Sequence, residues 1–225
     1  MTIAKDWFGH LGLDAYCCTF VRDLDQREAM LRIGCRPEAV QFIRSYQEVA
    51  GAFKDPALRC VVANRLGDWT LLIERNSAEG LENSLALSMG TEVIVAYLGL
   101  GPNRSFRYLR DGIVLTAFED GDLGHLFGWG AEPDLLEPLL ATIEPKGFQD
   151  FDDDRVPPDL ELACLVAGLQ PQPEDFVGPV LCADLPRPGR IASDPRGDAP
   201  YWLIPASRSR SRSRSRNAAP SPIER

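Results

Sequence analysis

The sequence predicts an α+β domain: a central antiparallel sheet of about five or six strands, N-terminal and C-terminal helices packed on it, and a disordered C-terminal tail. Three observations lead there. Runs rich in β-branched and aromatic residues cluster between residues 15 and 119, separated by Gly-containing reversals. Segments with helical spacing stand towards both ends of the chain. From Leu185 onward Pro, Arg and Ser dominate, a composition too poor in apolar residues to offset the entropy of ordering it.

The elements follow in order. Ala15–Val21 is β-branched and aromatic between Asp14 and Asp23, which predicts a first strand inside the sheet. Asp25 is placed to cap a helix running to Gly34, with Glu28 as its capping-box partner and Ala29, Met30 and Ile33 as its apolar face. Pro37 then opens a second predicted helix, because Val40, Ile43, Val49 and Phe53 recur at roughly helical spacing. Cys60–Leu66 and Trp69–Glu74, joined through Gly67-Asp68, read as a hairpin. Glu92–Tyr97 reads as a further strand, and Arg104–Leu109 with Ile113–Phe118 as a second hairpin around Asp111-Gly112. Helical patterning returns at Pro133–Ile143, bent at Pro138, at Pro158–Gly168, and more weakly near Glu174–Leu181. Central strands between terminal helices predict helices on one face of the sheet. The boundaries drawn are a single domain over 1–184 and a tail over 185–225.

The 225 residues are 44% apolar and 25% charged, with six Cys and two His. So few and scattered Cys and His exclude a disulfide scaffold, and no apolar run nears the roughly 20 residues of a membrane span. The net charge of −9 divides unevenly: residues 1–186 carry 15 Lys+Arg against 30 Asp+Glu, and residues 187–225 carry 9 against 3. An acidic body repels phosphate backbones, so any nucleic-acid contact falls to the tail. Lys5, Asp6 and His10 interrupt the apolar core that an export signal needs, which predicts a cytoplasmic protein. In that reducing setting Cys17, Cys18, Cys35, Cys60, Cys164 and Cys182 are expected to be small buried hydrophobes without disulfides.

Several patterns approach a chemical motif. Ala86-Leu-Ser-Met-Gly90 is a variant of the nucleophile elbow, with Asp120 or Asp122 and then His125 following in hydrolase order. The elbow needs a strand turning into a helix, whereas Ser88 precedes a predicted strand, so a turn-closing serine is the favoured reading and a Ser88–Asp122–His125 hydrolase the alternative. Gly99-Leu-Gly101 begins like a dinucleotide loop, but Arg104 stands where the third Gly belongs and no helix follows. No cofactor is expected. Asp150, Asp152, Asp153 and Asp154 form an acidic cluster without the Gly of a calcium loop, a solvated loop or a patch for cations or basic segments. His10 and His125 lack partners at ligand spacing, so no metal site is expected. Glu74, closing an apolar strand, reads as a rim carboxylate paired with an Arg, or else as a catalytic base. Trp7, Trp69 and Trp129 read as core or core-edge residues; Trp129, flanked by Gly128 and Gly130, reads alternatively as an exposed indole that marks a contact surface.

In the tail, Arg208, Arg210, Arg212, Arg214 and Arg216 alternate with Ser over 207–216. The repeat resembles the arginine-serine domains of eukaryotic splicing factors in composition. Three readings stand: an expanded simple repeat, weak RNA binding, and contact with acidic protein surface, including this chain's own acidic body. Tyr201-Trp-Leu-Ile204, between Pro200 and Pro205, reads as a short docking segment or a chance apolar patch.

The order Tyr16–Val21, Trp69–Glu74 as W-x-L-x-x-E, Leu87–Thr91 as L-S-x-G-T, and Phe106–Tyr108 with Asp111-Gly112 and Phe118 resembles an actinobacterial family of domains of unknown function. The resemblance covers roughly residues 14–170 and does not extend to the Ser-Arg tail. It implies a cytoplasmic bacterial domain and supplies no catalytic residue. The function expected is therefore a non-enzymatic protein-interaction or regulatory domain with a protein partner, no membrane contact, and nucleic acid bound at most weakly through the tail.

Overall fold

The strand predicted at the start of the domain is β1, Tyr16–Arg22, and it lies in the interior of the sheet. The computed structural model describes residues 7–8, 15–43, 59–99, 103–119, 128–143 and 156–185, all within the unit Met1–Arg187. Eight strands form one sheet: β1, β2 (Gln41–Ile43), β3 (Cys60–Leu66), β4 (Trp69–Arg75), β5 (Glu92–Leu98), β6 (Arg104–Arg110), β7 (Ile113–Glu119) and β8 (Val180–Asp184). Their order is β2-β8-β3-β4-β1-β5-β6-β7, and every pairing is antiparallel.

The expected five or six strands are thus too few, and the two additions replace predicted helices. After Pro37–Ala39, a single 3-10 turn, the chain extends as β2 instead of continuing helically; Val49 and Phe53 lie outside the described residues. Near the C-terminal end, Pro173–Phe176 is a 3-10 turn, and β8 follows Gly178-Pro179. Pro179 cannot donate the backbone bond that a continuing helix needs, and the apolar run after it inserts between β2 and β3. The helix expected over Pro133–Ile143 shrinks to α4, Glu137–Leu140, with Pro138 in its first turn.

Both hairpins form where predicted. At the β6–β7 reversal Asp111 and Gly112 have φ of 50° and 76°, the paired left-handed conformations of a two-residue turn whose twist matches the flanking strands. Helix α1, Gln26–Arg32, is capped by Asp25, whose carboxylate accepts from the Glu28 amide at 2.8 Å. The Glu28 carboxylate pairs with Arg32 one turn on, at 3.0 Å. Two short helices, α2 (Glu79–Glu82) and α3 (Ser84–Leu87), join β4 to β5, and α5 occupies Pro158–Ala167.

Helices cover both faces of the sheet, where one face was expected. Successive residues of a strand point to opposite sides. Cys18 and Phe20 of β1 face α5 and its Leu160 and Cys164, beside Trp7, which stacks on Phe176 with ring centroids 5.4 Å apart. Cys17 and Val21 face Ala29, Met30 and Ile33 of α1. The uninterrupted apolar runs Val61-Val-Ala63 and Leu71-Leu-Ile73 suit a sheet buried on both sides.

The β7 edge is covered. Trp129 exchanges backbone bonds with Ala117 at 2.8 and 3.0 Å, and the Ala131 and Glu132 amides donate to the Val114 and Leu115 carbonyls. Gly130 permits this strap, since a Cβ there would lie 2.5 Å from the Leu115 carbonyl oxygen.

Candidate functional site

Among the described residues polar side chains build several local arrangements, and one of them carries exposed apolar surface. It forms where the turn after α3 meets the β6–β7 reversal. The Ser88 hydroxyl donates to the Leu85 carbonyl at 2.9 Å and accepts from the Gly112 amide at 3.1 Å. Nearby, the Asp111 amide donates to the Thr91 carbonyl at 3.1 Å, and the Thr91 hydroxyl bonds the Arg22 carbonyl. The Arg32 guanidinium reaches the Met89 carbonyl at 3.1 Å from α1. These bonds hold Leu85, Met89 and Ile113 at the surface, with 52%, 60% and 54% of each side chain's residue exposed. Met89 lies against the turn itself: a Cβ at Gly112 would be 2.7 Å from its Sδ.

Ser88 is fully buried and follows a helix, so its hydroxyl works in the turn at both its donor and its acceptor side. Asp120, Asp122 and His125 lie outside the described residues, as do Asp150, Asp152, Asp153 and Asp154 and the tail arginines Arg208, Arg210, Arg212, Arg214 and Arg216. Trp129 is 44% exposed on the strap over β7, with the Arg107 guanidinium 6.0 Å from its ring centroid. Its flanking glycines serve close backbone approach, while the strap's backbone bonds fix the position of the indole.

The second arrangement corrects the reading of Glu74. This side chain is fully buried, where a rim position was expected. It accepts from the Glu79 amide at 2.8 Å and the Gly80 amide at 2.7 Å, the first residues of α2. Its bonded partners are neutral donors, in place of the expected Arg. Loss of hydration outweighs those bonds and pushes the carboxyl up to about 7. Gly80 makes the contact possible, because a Cβ there would meet Thr19 Oγ1 and lie 2.7 Å from Glu74 Oε1. In the sequence, only the polar end of W-x-L-x-x-E hinted at this site.

On the other face, Asp159 near the start of α5 is buried beside Arg104 of β6, 3.1 Å away. The Tyr16 hydroxyl donates to both Asp159 oxygens, at 2.9 and 2.8 Å. Burial raises the Asp159 carboxyl while Arg104 and Tyr16 hold it down, and burial together with Asp159 pushes the Tyr16 phenol well above its ordinary value. Sequence reasoning passed over this triad, since its members lie 143 residues apart at the extremes.

Among the described residues no group of three or more His, Cys, Asp or Glu is placed to hold a metal ion, and no helix is long and apolar enough to cross a membrane. The model of a family described as "Family of unknown function (DUF6461)" matches residues 3–167. No curated protein and no solved structure matches the chain.

Proposed function

The chain belongs to this family of unknown function, and from that premise we propose that it is a non-enzymatic protein-interaction domain docking through Leu85, Met89 and Ile113. The observation that carries the reading is the pairing of exposed apolar side chains with a rigid, hydrogen-bonded support. Apolar surface held in one conformation by Ser88, Thr91 and Arg32 loses little entropy on binding. Apolar patches rimmed by polar groups are the usual mark of a protein contact. The commitment of the Ser88 hydroxyl at both sides supports this reading over a hydrolase built on Ser88. In the same proposal the domain works in a bacterial cytoplasm, the folded body ends near residue 184, and the Ser-Arg tail adds at most a weak, salt-sensitive contact with anionic surfaces.

The test is affinity capture from the native host, comparing the full chain with L85D/I113D and with V177D, which places the same charge at an exposed residue elsewhere. The expected result is a protein retained by the wild type and V177D and lost from L85D/I113D. Identical captured sets from all three proteins would overturn the proposal.

A further inference from the structure

Glu74 sits beneath the segment Ser77–Leu87, which carries Leu85 and leads directly to Met89. Two features make it more than a helix anchor. It is fully buried, and the groups bonded to it are the amides of Glu79 and Gly80, neither of which carries a compensating positive charge. A buried anion held only by neutral donors is strongly disfavoured relative to the same anion in water. The segment above it is short, two single-turn helices, and helices of that length have almost no stability of their own.

We propose that Glu74 is a proton-operated latch on this segment: uncharged, it lets Ser77–Leu87 sit closed over β1 and β4, and on ionisation the buried anion drives the segment to open towards water. The sign follows from linkage. A closed form that raises the affinity of the carboxyl for a proton is favoured by protonation, so rising pH favours the open form. The carboxyl ionises at about 7 when closed, against an ordinary 4.5 in water. The opening equilibrium therefore shifts by roughly two orders of magnitude over that interval.

Among the described residues the other titratable or charged groups around Glu74 are Cys17 and Cys18 of β1, Cys35 after α1, Tyr97 of β5, Arg107 of β6, which donates to the Leu81 carbonyl, Glu79 and Glu82 of α2, and Arg59, which pairs with Glu79 at 2.8 Å. Burial pushes the three thiols and the phenol upward, away from neutrality. Glu82, on the same segment, is also pushed up, by partial desolvation and by Glu79, and so needs its own control.

Because Leu85 lies on this segment, opening would also move the proposed docking patch, but the test uses no partner and its outcome does not depend on the docking reading. Amide hydrogen exchange is followed on the full chain from pH 5 to pH 8, corrected for the intrinsic rise of exchange with pH. The expected result is that protection of the Glu79 and Gly80 amides falls about 100-fold across that range, flattens in E74Q, and persists in E82Q. The Glu74 side-chain carboxyl resonance, followed in the same wild-type samples, should titrate near pH 7. Protection independent of pH in the wild type, an equal fall in E74Q, or a Glu74 resonance titrating near 4.5 would each overturn the proposal.

Discussion

The Ser88 hydroxyl and the Gly112 amide, 24 residues apart in sequence, meet at 3.1 Å and fasten the turn after α3 to the β6–β7 reversal. The bond unites two stretches that look unrelated in the sequence, the L-S-x-G-T turn and the Asp-Gly hairpin. In this elbow-like setting both sides of the serine hydroxyl are occupied by backbone.

Ser88→Ala is expected to leave the Gly112 amide without this acceptor and to destabilise the domain by about 1–2 kcal/mol. Urea denaturation of the full chain reads the loss. An unchanged midpoint would mean that the Gly112 amide exchanges its partner for water without cost.

Tyr16→Phe and Asp159→Asn should be non-additive. The first removes a donor from a buried carboxylate and the second removes the charge facing Arg104, at about 1–2 and about 3 kcal/mol respectively. Because both act on one network, the double variant should lose at least about 0.5 kcal/mol less than the sum. Strict additivity in thermal or chemical denaturation would show that Tyr16 and Arg104 hold Asp159 independently.

The pH profile of global stability should carry the mark of Glu74. Its carboxyl is raised from 4.5 to about 7 in the folded domain, so folding takes up a proton between those values. The stability it contributes is complete below about 4.5 and is lost as pH rises through about 7, a change of up to ~3 kcal/mol. Relative to the wild type, E74Q should therefore be more stable at pH 8 than at pH 5. Parallel stability curves would contradict this.

The thiols should be inert in the native state. Among the described residues all six cysteines are free, and burial pushes Cys17, Cys18 and Cys164 upward and Cys35 and Cys60 to about 12. Only the thiolate reacts readily. Alkylation at pH 8 is expected to modify Cys182 first, the most exposed of the six, and all six after denaturation. An intact mass short by two protons before reduction would reveal a disulfide instead.

Elements whose signal is local were legible. The two hairpins, the Asp25-capped helix and α5 each carry their turn or cap residues within a few positions. β2 was not, because three residues are too few to establish a period, and Val40 and Ile43 fit a helical spacing equally well. β8 was masked by the acidic turn before it, although Gly178-Pro179 followed by Val-Leu-Cys-Ala carried a strand signal. The covering of both faces was also written in the unbroken apolar runs of β3 and β4. Glu74 is the harder case. Its strand position was correct, but its burial depends on where residues 77–80 return, and on Gly80 being small enough to let them approach.

The strap that pairs with Val114, Leu115 and Ala117 gives the sheet a polarity of growth. One terminal strand, β7, offers an incoming chain few unpaired groups, whereas the other, β2, is paired among the described residues with β8 alone. Strand addition needs an extendable edge on each participant. A molecule with one such edge can join a second copy edge to edge, and that union consumes both. Propagation into a fibre needs two open ends and stops at the pair.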